Sequence, residues 1–201
     1  RPDYGWMSEE TEDDPARMAA PRTWIVDPID GTKGFVDGNH QWVVSAALVE
    51  AGRPVCAVVF NPGTGQFVDA YKSGGTRLDG EPVRATRVAS LAAATLGSSH
   101  NEQRRELWQH LFPESRIEVV DAIAYKIALV AIGAHDAVIA LRPKSDWDIA
   151  AGDLLVTEAG GVMTDADGNR LNYNQEDLLK PHLVASGAVI YPALRAALDR
   201  R

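Results

Sequence analysis

Residues 24–32 of the chain read WIVDPIDGT, and the fold is easiest to predict outward from this stretch. A β-prone run reaches Asp27-Pro28, where proline lacks the N–H that a strand ladder needs. We therefore predict a strand that ends at Asp27. Because Pro28 and Gly31 favour a tight turn, Asp27 and Asp30 are expected to lie close together just after that strand.

Two carboxylates in one turn repel each other unless a cation lies between them. Hard divalent cations such as Mg²⁺ bind carboxylate and carbonyl oxygens, and the turn offers Asp27, Asp30 and the Ile29 carbonyl. The amides of Gly31 and Thr32 can donate to a phosphate group, as helix N-termini and nests do. An Asx turn that uses proline and glycine only as turn formers explains the same residues without a metal.

Further acidic residues flank the turn in sequence. Glu9 and Glu10 precede the strand, while Asp146 and Asp148 lie where a helix is predicted to begin. Acidic groups are favoured in a first helical turn by the dipole and by free N–H groups, and we assign Asp146 this capping role. Asp148 is followed by small residues at 150–152, so it can reach inward to a metal.

The two halves of the chain differ in their secondary-structure pattern. In residues 1–90, turn formers separate short strand candidates that predict an antiparallel meander: Trp42–Val49, Val55–Phe60, Gln66–Tyr71, and Thr76–Leu78 with Pro82–Arg84. In residues 91–201, strands mix with helical candidates at Glu102–Leu111, Ala122–Ile132, Asp148–Ala159 and Pro192–Leu198. We therefore predict one α+β unit over residues 1–201, with a metal-site and antiparallel-sheet half and an α/β half.

Composition excludes several classes of protein. The chain is 45% apolar and 24% charged, as expected for an ordinary globular protein. A net charge of −8 disfavours binding to a nucleic-acid polymer, which requires Lys and Arg to cover phosphates. The apolar runs are too short to span a bilayer, and the start has no signal-peptide pattern. With Cys56 as the one cysteine, we expect a cytoplasmic protein without membrane insertion.

Three segments resemble the signatures of the inositol monophosphatase superfamily, in the order of that family. They are WMSEET at residues 6–11, WIVDPIDGT at 24–32, and WDIAAG at 147–152 with EAGG at 158–161. The resemblance covers nearly the whole chain and implies a layered α/β sandwich, a magnesium-dependent, lithium-sensitive phosphatase and a homodimer. It also implies that an N-terminal helical part, usual in the family, is missing ahead of this sequence.

The resemblance assigns roles to individual residues. The metal ligands that it implies are Glu9, Asp27, the Ile29 carbonyl, Asp30 and Asp148. Asp27 is shared by two Mg²⁺ ions, and Glu9 with Thr32 orients the attacking water. A further ion would depend on the N-terminal loop, so two or three ions are expected in each active site. Such a site needs no covalent phosphoenzyme.

The substrate prediction depends on residues just after the Asp27–Asp30 turn and on residues just before Asp146 and Asp148. The segment Thr32–Phe35, with Lys33 after the threonine, resembles the corresponding segment of the bisphosphate nucleotidase branch. Leu141 stands where inositol phosphatases carry a Glu that binds sugar hydroxyls. Arg142 and Lys144 can bind a second phosphate, although solvated loop charges are the alternative. The predicted substrate-binding residues are Gly31, Thr32, Lys33, Arg142 and Lys144. Tyr125 or Lys126 is a further candidate for contact with an adenosine.

We therefore predict a 3′(2′),5′-bisphosphate nucleotidase that converts adenosine 3′,5′-bisphosphate to AMP. The alternative substrate is inositol 1-phosphate or another small sugar phosphate. Haloacid dehalogenase-like phosphatases also place two Asp near a Gly-Thr, but one residue separates those Asp, whereas Pro28 and Ile29 intervene here. A metal-binding scaffold without activity is less favoured, because every expected ligand is present.

Overall fold

The computed structural model describes residues 3–103 and 110–199. Its first half forms a seven-stranded sheet whose strands are β1 (Gly5–Ser8), β2 (Thr23–Asp30), β3 (Val43–Glu50), β4 (Arg53–Phe60), β5 (Phe67–Tyr71), β6 (Thr76–Leu78) and β7 (Glu81–Val83). A 3₁₀ turn at Pro15–Ala19 connects β1 to β2, which pair in parallel. From β2 to β7 the strands pair in chain order and antiparallel, so the predicted meander is confirmed.

The second half contains a five-stranded mixed sheet. In chain order its strands are β8 (Thr95–Ser98), β9 (Arg116–Val119), β10 (Ala137–Ala140), β12 (Gly161–Thr164) and β14 (Leu183–Gly187), and their spatial order is β12-β14-β10-β8-β9. The pairs within β10-β8-β9 are parallel, and the pairs with β14 are antiparallel. Two short strands, β11 (Lys144–Ser145) and β13 (Leu179–Lys180), pair separately and lie next to the start of the fourth helix.

The helices are α1 (Thr32–Val36), α2 (His100–Gln103), α3 (Ile123–Ala131), α4 (Asp146–Glu158) and α5 (Tyr191–Leu198), with a 3₁₀ turn at Leu91–Ala93. The predicted helix at 102–111 lies largely outside the described residues, since 104–109 are not among them. The helix predicted at 122–132 is α3, and Gly133 ends it at φ +76°, as a left-handed cap requires. None of the described helices combines the length and apolar character needed to cross a membrane.

The layers follow from the alternation of side chains along the strands. Helices α3 and α4 pack on each other between the two sheets, α4 against β2–β6 and α3 against β10 and β14. On β10, Val138 and Ala140 join this central core, while Ala137 and Ile139 face the opposite side, where Leu194 of α5 packs. Both faces of the five-stranded sheet are therefore buried, and the predicted layered α+β fold is confirmed.

The predicted end of the strand at Asp27 is wrong. Strand β2 continues through Pro28 to Asp30, and its register with β3 shifts between Asp27 and Asp30. A bulge leaves a residue outside the ladder, so the missing N–H of Pro28 costs no sheet hydrogen bond. The bulge also turns the strand so that Asp27 and Asp30 are both directed toward the same place.

Candidate active site

Three carboxylates converge where the bulge of β2 meets the start of α4. Single carboxylate oxygens of Asp27, Asp30 and Asp148 all lie within 4.8 Å of one another. Asp27 and Asp30 are almost fully buried, at 1% and 8% exposure, and Asp148 is half-buried. Residues more than a hundred positions apart in sequence are thus brought to one point, which we call the acidic cluster.

Backbone amides fix the orientation of each member of the cluster. Asp27 Oδ1 accepts from the Ile29 amide at 2.9 Å, within the bulge itself. Asp30 Oδ2 accepts from the Ala124 amide at 2.6 Å, at the start of α3. Asp148 Oδ2 accepts from the Ser145 amide at 2.9 Å, just before α4. The cluster therefore depends on three separate elements that hold their carboxylates in place before any ligand arrives.

The cluster carries more negative charge than its surroundings neutralise. Burial and then the charge of Asp30 raise the pKa of Asp27 to about 8. Burial and then the charge of Asp148 raise the pKa of Asp30 to about 7. The pKa of Asp148 is also raised, mainly by burial. Three oxygen ligands that repel one another in a buried site are suited to a hard divalent cation such as Mg²⁺.

Gly31 follows the cluster and allows a close approach of the backbone. Its φ is +90°, and a Cβ at this position would lie 2.6 Å from the Gln41 carbonyl oxygen and 2.8 Å from Ala122 Cβ. Glycine is therefore required here on both conformational and steric grounds. Thr32 begins α1, and its Oγ1 donates to the Ile29 carbonyl oxygen at 3.3 Å.

The other predicted acidic residues have different positions. Glu9 is exposed and lies outside the group of three, but its charge contributes to the raised pKa values of Asp27 and Asp148. The prediction that Asp146 caps α4 is wrong. The buried Asp146 carboxylate forms an ion pair with Lys180 Nζ at 2.8 Å, and Asp148 makes the capping contact instead.

A cavity of about 420 Å³ opens beside the acidic cluster. Asp30 and Asp148 line it, and so do all five residues predicted to bind substrate: Gly31, Thr32, Lys33, Arg142 and Lys144. Lys126 also lines the cavity. Tyr125 is not among the lining residues, and its hydroxyl donates to Gln66 Oε1 at 3.0 Å. The cavity thus places cationic side chains beside the carboxylates.

Ser99 was a sequence candidate for the substrate pocket and does line the cavity, whereas sequence reasoning missed the rest of this wall, residues 100–102 and Asp121. Ser99 and Glu102 form a capping box, with Glu102 Oε2 accepting from the Ser99 amide at 2.8 Å and the Glu102 amide donating to Ser99 Oγ at 3.3 Å. The Ser-x-x-Glu spacing was a usable signal. No such signal existed for His100, whose Nδ1 lies 2.9 Å from Asp121 Oδ2 across 21 positions of sequence.

Comparisons with known proteins agree with this architecture. The sequence model described as the inositol monophosphatase family matches residues 1–200. The inositol-1-monophosphatase of Rhizobium meliloti is 34% identical over 208 residues, covering 100% of this chain and 76% of that relative. The fructose-1,6-bisphosphatase/inositol-1-monophosphatase of Thermotoga maritima is 35% identical over 153 residues, covering 75% of this chain and 59% of that protein.

A solved structure extends the likeness from sequence to fold. The IMPase structure from Thermotoga maritima superposes with a TM-score of 0.84 at 30% identity, covering 99% of this chain and 75% of that one. The likeness therefore includes both sheets and the helices between them.

Proposed function

The chain belongs to the inositol monophosphatase family, a family of magnesium-dependent phosphatases, and we propose that it hydrolyses the phosphate monoester of a small cyclic polyol of the inositol 1-phosphate class. Relatives named inositol-1-monophosphatase support this substrate class. These relatives support our alternative prediction, an inositol phosphatase, better than our first prediction, a bisphosphate nucleotidase.

The convergence of the three carboxylates is the observation that carries the proposal. We propose that Asp27, Asp30 and Asp148 hold Mg²⁺, with Glu9 and the Ile29 carbonyl completing the ligands. The donors fit, because all are hard oxygens and their mutual repulsion calls for a cation. When bound, such ions lower the pKa of a water and neutralise charge on the phosphate and on the departing oxygen.

The chain's own groups then position the substrate. Gly31 lets the phosphate approach the main chain, where the amides of Gly31 and Thr32 can donate to its oxygens. Glu9 is exposed and its charge acts on Asp27 and Asp148, and we propose that it and the Thr32 hydroxyl orient the attacking water. Lys33 on the cavity wall adds positive charge toward the anionic substrate. The proposed catalytic residues are therefore Glu9, Asp27 and Thr32.

A bisphosphorylated nucleotide is the second candidate substrate. Two observations favour it. By the family resemblance Leu141 stands where inositol phosphatases carry a sugar-binding Glu, and Arg142 and Lys144 line the cavity. These residues suit an anion better than a ring of hydroxyls, since Arg and Lys bind phosphate by charge as well as by hydrogen bonds.

Phosphate release tests both candidates. Inositol 1-phosphate, fructose 1,6-bisphosphate and adenosine 3′,5′-bisphosphate would be compared in Mg²⁺ and in EDTA, with wild type and Asp27→Asn. We expect Mg²⁺-dependent turnover that Asp27→Asn lowers by about 10²-fold or more. A preference for the nucleotide of about tenfold or more would move the assignment to the second candidate. Equal trace rates for both proteins would indicate a scaffold without activity.

A further inference from the structure

Glu9 differs from the other carboxylates of the proposed metal site, because no contact fixes its side chain. Asp27, Asp30 and Asp148 each accept from a backbone amide. Among the residues that the structure describes, the Glu9 carboxylate takes part in no hydrogen bond or ion pair. Its charge nevertheless acts on Asp27 and Asp148. A fixed position of this carboxylate near the acidic cluster therefore depends on the backbone that carries Glu9.

That backbone is the loop of residues 9–14 between β1 and the following 3₁₀ turn, which we call the Glu9 loop. Its contacts with the end of β1 are long, since the amides of Glu10 and Thr11 approach Ser8 oxygens only to 3.4 Å. An exposed bond from Trp6 Nε1 to Thr11 Oγ1 measures 3.2 Å. Hydrogen bonds at the upper limit of length are weak. The first part of the loop is therefore held poorly by the strand that it follows.

The last part of the Glu9 loop is held by a bidentate ion pair. Arg17 Nε donates to Asp13 Oδ1 at 2.6 Å, and Arg17 Nη2 donates to Asp13 Oδ2 at 3.0 Å. Parallel bonds between a guanidinium and a carboxylate fix geometry as well as adding energy. Arg17 is only 3% exposed, whereas the Asp13 side chain keeps 35% exposure. The loop is therefore attached at Asp13 to a buried arginine.

Arg17 is itself fixed by contacts outside the loop. Its Nη1 donates to Asn174 Oδ1 at 2.7 Å, and its Nη2 also donates to the Gln175 carbonyl oxygen at 3.0 Å. The Asn174 amide in turn donates to Asp146 Oδ2 at 2.8 Å, in the turn of α4 that also carries Asp148. The guanidinium therefore connects the Glu9 loop to the start of the helix that supplies part of the acidic cluster.

We propose that Asp13 is a positioning residue for Glu9, and that its ion pair with Arg17 clamps the Glu9 loop so that the Glu9 carboxylate is presented to the acidic cluster. This inference rests on the proposed function, since it takes Glu9 as a metal ligand that also orients the attacking water. Without the clamp the loop adopts more conformations, and those that move Glu9 away lower the fraction of competent sites. Asp13 touches neither substrate nor metal and acts only through Glu9.

Proteolysis of the metal-free protein tests the clamp without any enzymatic activity. A protease that cleaves after glutamate, applied to the folded protein in EDTA, measures opening of the loop at Glu9, Glu10 and Glu12. We expect Asp13→Ala to be cleaved there about tenfold faster than wild type, with thermal unfolding confirming that it is folded. Equal rates for Asp13→Ala and wild type would overturn the proposal.

Glu12→Ala is the matched control for this measurement. Glu12 lies in the same loop, and its side chain has no hydrogen bond or ion pair within residues 3–103 and 110–199. Its variant loses a carboxylate from the loop but keeps the clamp. Cleavage after Glu9 and Glu10 should therefore match that of wild type.

A double-mutant cycle with Glu9→Gln tests whether Asp13 acts through Glu9. In phosphate release from inositol 1-phosphate, Asp13→Ala should lower kcat about tenfold and change KM less, because Glu9 acts on the water and the metal. In the Glu9→Gln background the same change should lower kcat by about twofold or less. Equal losses in the two backgrounds would assign Asp13 to the fold alone and overturn the proposal, as would an unchanged kcat in Asp13→Ala.

A conservative variant keeps the test usable if Asp13→Ala does not fold. Asp13→Asn retains an acceptor oxygen for Arg17 Nε, so it should be milder than Asp13→Ala in both loop cleavage and kcat. The cycle with Glu9→Gln is then measured with Asp13→Asn, and the same two results decide it.

A Mg²⁺ titration distinguishes failure of the clamp from failure of the proposed function. If wild type releases no phosphate from inositol 1-phosphate, the proposed substrate class is wrong. The cycle is then measured on the Mg²⁺ concentration for half-maximal thermal stabilisation. An increase of about threefold in Asp13→Ala that disappears in the Glu9→Gln background would support the clamp. An equal increase in both backgrounds, or none in either, would overturn it.

Discussion

Asp146 and Asp148 lie in the first turn of α4 with one residue between them, yet their carboxylates are bound in different surroundings. Asp146 is fully buried, forms an ion pair with Lys180 at 2.8 Å, and accepts from the Asn174 amide at 2.8 Å. Asp148 caps the helix and joins the acidic cluster. The Asp146 carboxylate therefore stabilises the fold, and the Asp148 carboxylate belongs to the candidate metal site.

Asp146→Asn should lower the stability of the fold, whereas Asp148→Asn should mainly weaken the binding of Mg²⁺. Asp146→Asn leaves the Lys180 ammonium buried beside an uncharged partner, so we expect a loss of about 3 to 5 kcal/mol in the free energy of unfolding. Asp148→Asn keeps a capping oxygen and relieves repulsion, so the metal-free protein should change by about 1 kcal/mol or less. Its stabilisation by Mg²⁺ should be lost. Urea unfolding with and without Mg²⁺ measures both effects, and a large loss for Asp148→Asn alone would contradict them.

The acidic cluster should make the metal-free protein less stable as pH rises. The pKa of Asp27 is raised from 3.8 to about 8, and that of Asp30 from 3.8 to about 7. At a pH between 3.8 and the raised pKa of each group, the folded protein keeps on that carboxylate a proton that the unfolded chain has released. The corresponding stability is fully present below pH 3.8 and is lost as pH rises through about 8.

Thermal unfolding in EDTA from pH 5 to pH 8 measures this trend. A hydrogen bond with Arg17 lowers the pKa of Asp13, and burial is outweighed by hydrogen bonds with His100 that lower the pKa of Asp121, so their opposite contribution lies below this range. Burial lowers the pKa of His135 from 6.5, so its opposite contribution ends near pH 6.5 and is shared by wild type and Asp27→Asn. We expect the midpoint to fall with pH in wild type and to fall less in Asp27→Asn. Asp37→Asn, at an exposed carboxylate, is the control. Added Mg²⁺ should stabilise most at high pH, and a midpoint that rises with pH in EDTA would refute the argument.

Asn174 connects three segments that lead to the site. Its Oδ1 accepts from Arg17 Nη1 at 2.7 Å, its Nδ2 donates to Thr23 Oγ1 at 3.1 Å, and its amide donates to Asp146 Oδ2 at 2.8 Å. Its φ is +58°, a conformation that Asn tolerates better than most residues. These partners belong to the segment after Glu9, to the start of β2 and to the start of α4.

Substitution of Asn174 should affect metal affinity as well as stability. Asn174→Gly keeps the left-handed backbone but leaves the buried Arg17 without one acceptor, so we expect a loss of about 1 to 3 kcal/mol. A higher Mg²⁺ concentration should also be needed for half-maximal thermal stabilisation. Asn174→Asp keeps the acceptor for Arg17 and should be milder in both respects. An unchanged Mg²⁺ midpoint in Asn174→Gly would assign this residue to stability alone.

The acidic turn could be predicted from sequence because its chemistry is local. Asp27, Asp30 and Gly31 lie within five residues, and their spacing already indicates carboxylates held together and a close backbone approach. The end of β2 was predicted wrongly, because a bulge that accommodates Pro28 depends on the partner strand and leaves no mark in the strand's own sequence.

Contacts between distant residues set the limit of sequence reasoning. Asp146 was taken for a helix cap because its partner, Lys180, lies 34 positions away and in a separate two-stranded sheet. Asp148 was assigned to the site because the small residues that follow it leave room for it to reach inward, and the family resemblance then gave it the role of a metal ligand. Pairings of this kind follow from tertiary packing and are not encoded by local spacing.

Gly152 of α4 packs closely against Ile127 of α3, and its replacement tests the packing between these two helices. A Cβ at Gly152 would lie 2.5 Å from Ile127 Cγ2 and 2.9 Å from its Cβ. Gly→Ala in a helix normally stabilises by up to about 1 kcal/mol. Here the stiff, β-branched side chain cannot move aside, so we expect Gly152→Ala to destabilise by about 1 to 3 kcal/mol and to raise the Mg²⁺ requirement. In an Ile127→Ala background the same change should cost much less, and equal costs in the two backgrounds would show that this contact does not set the helix separation.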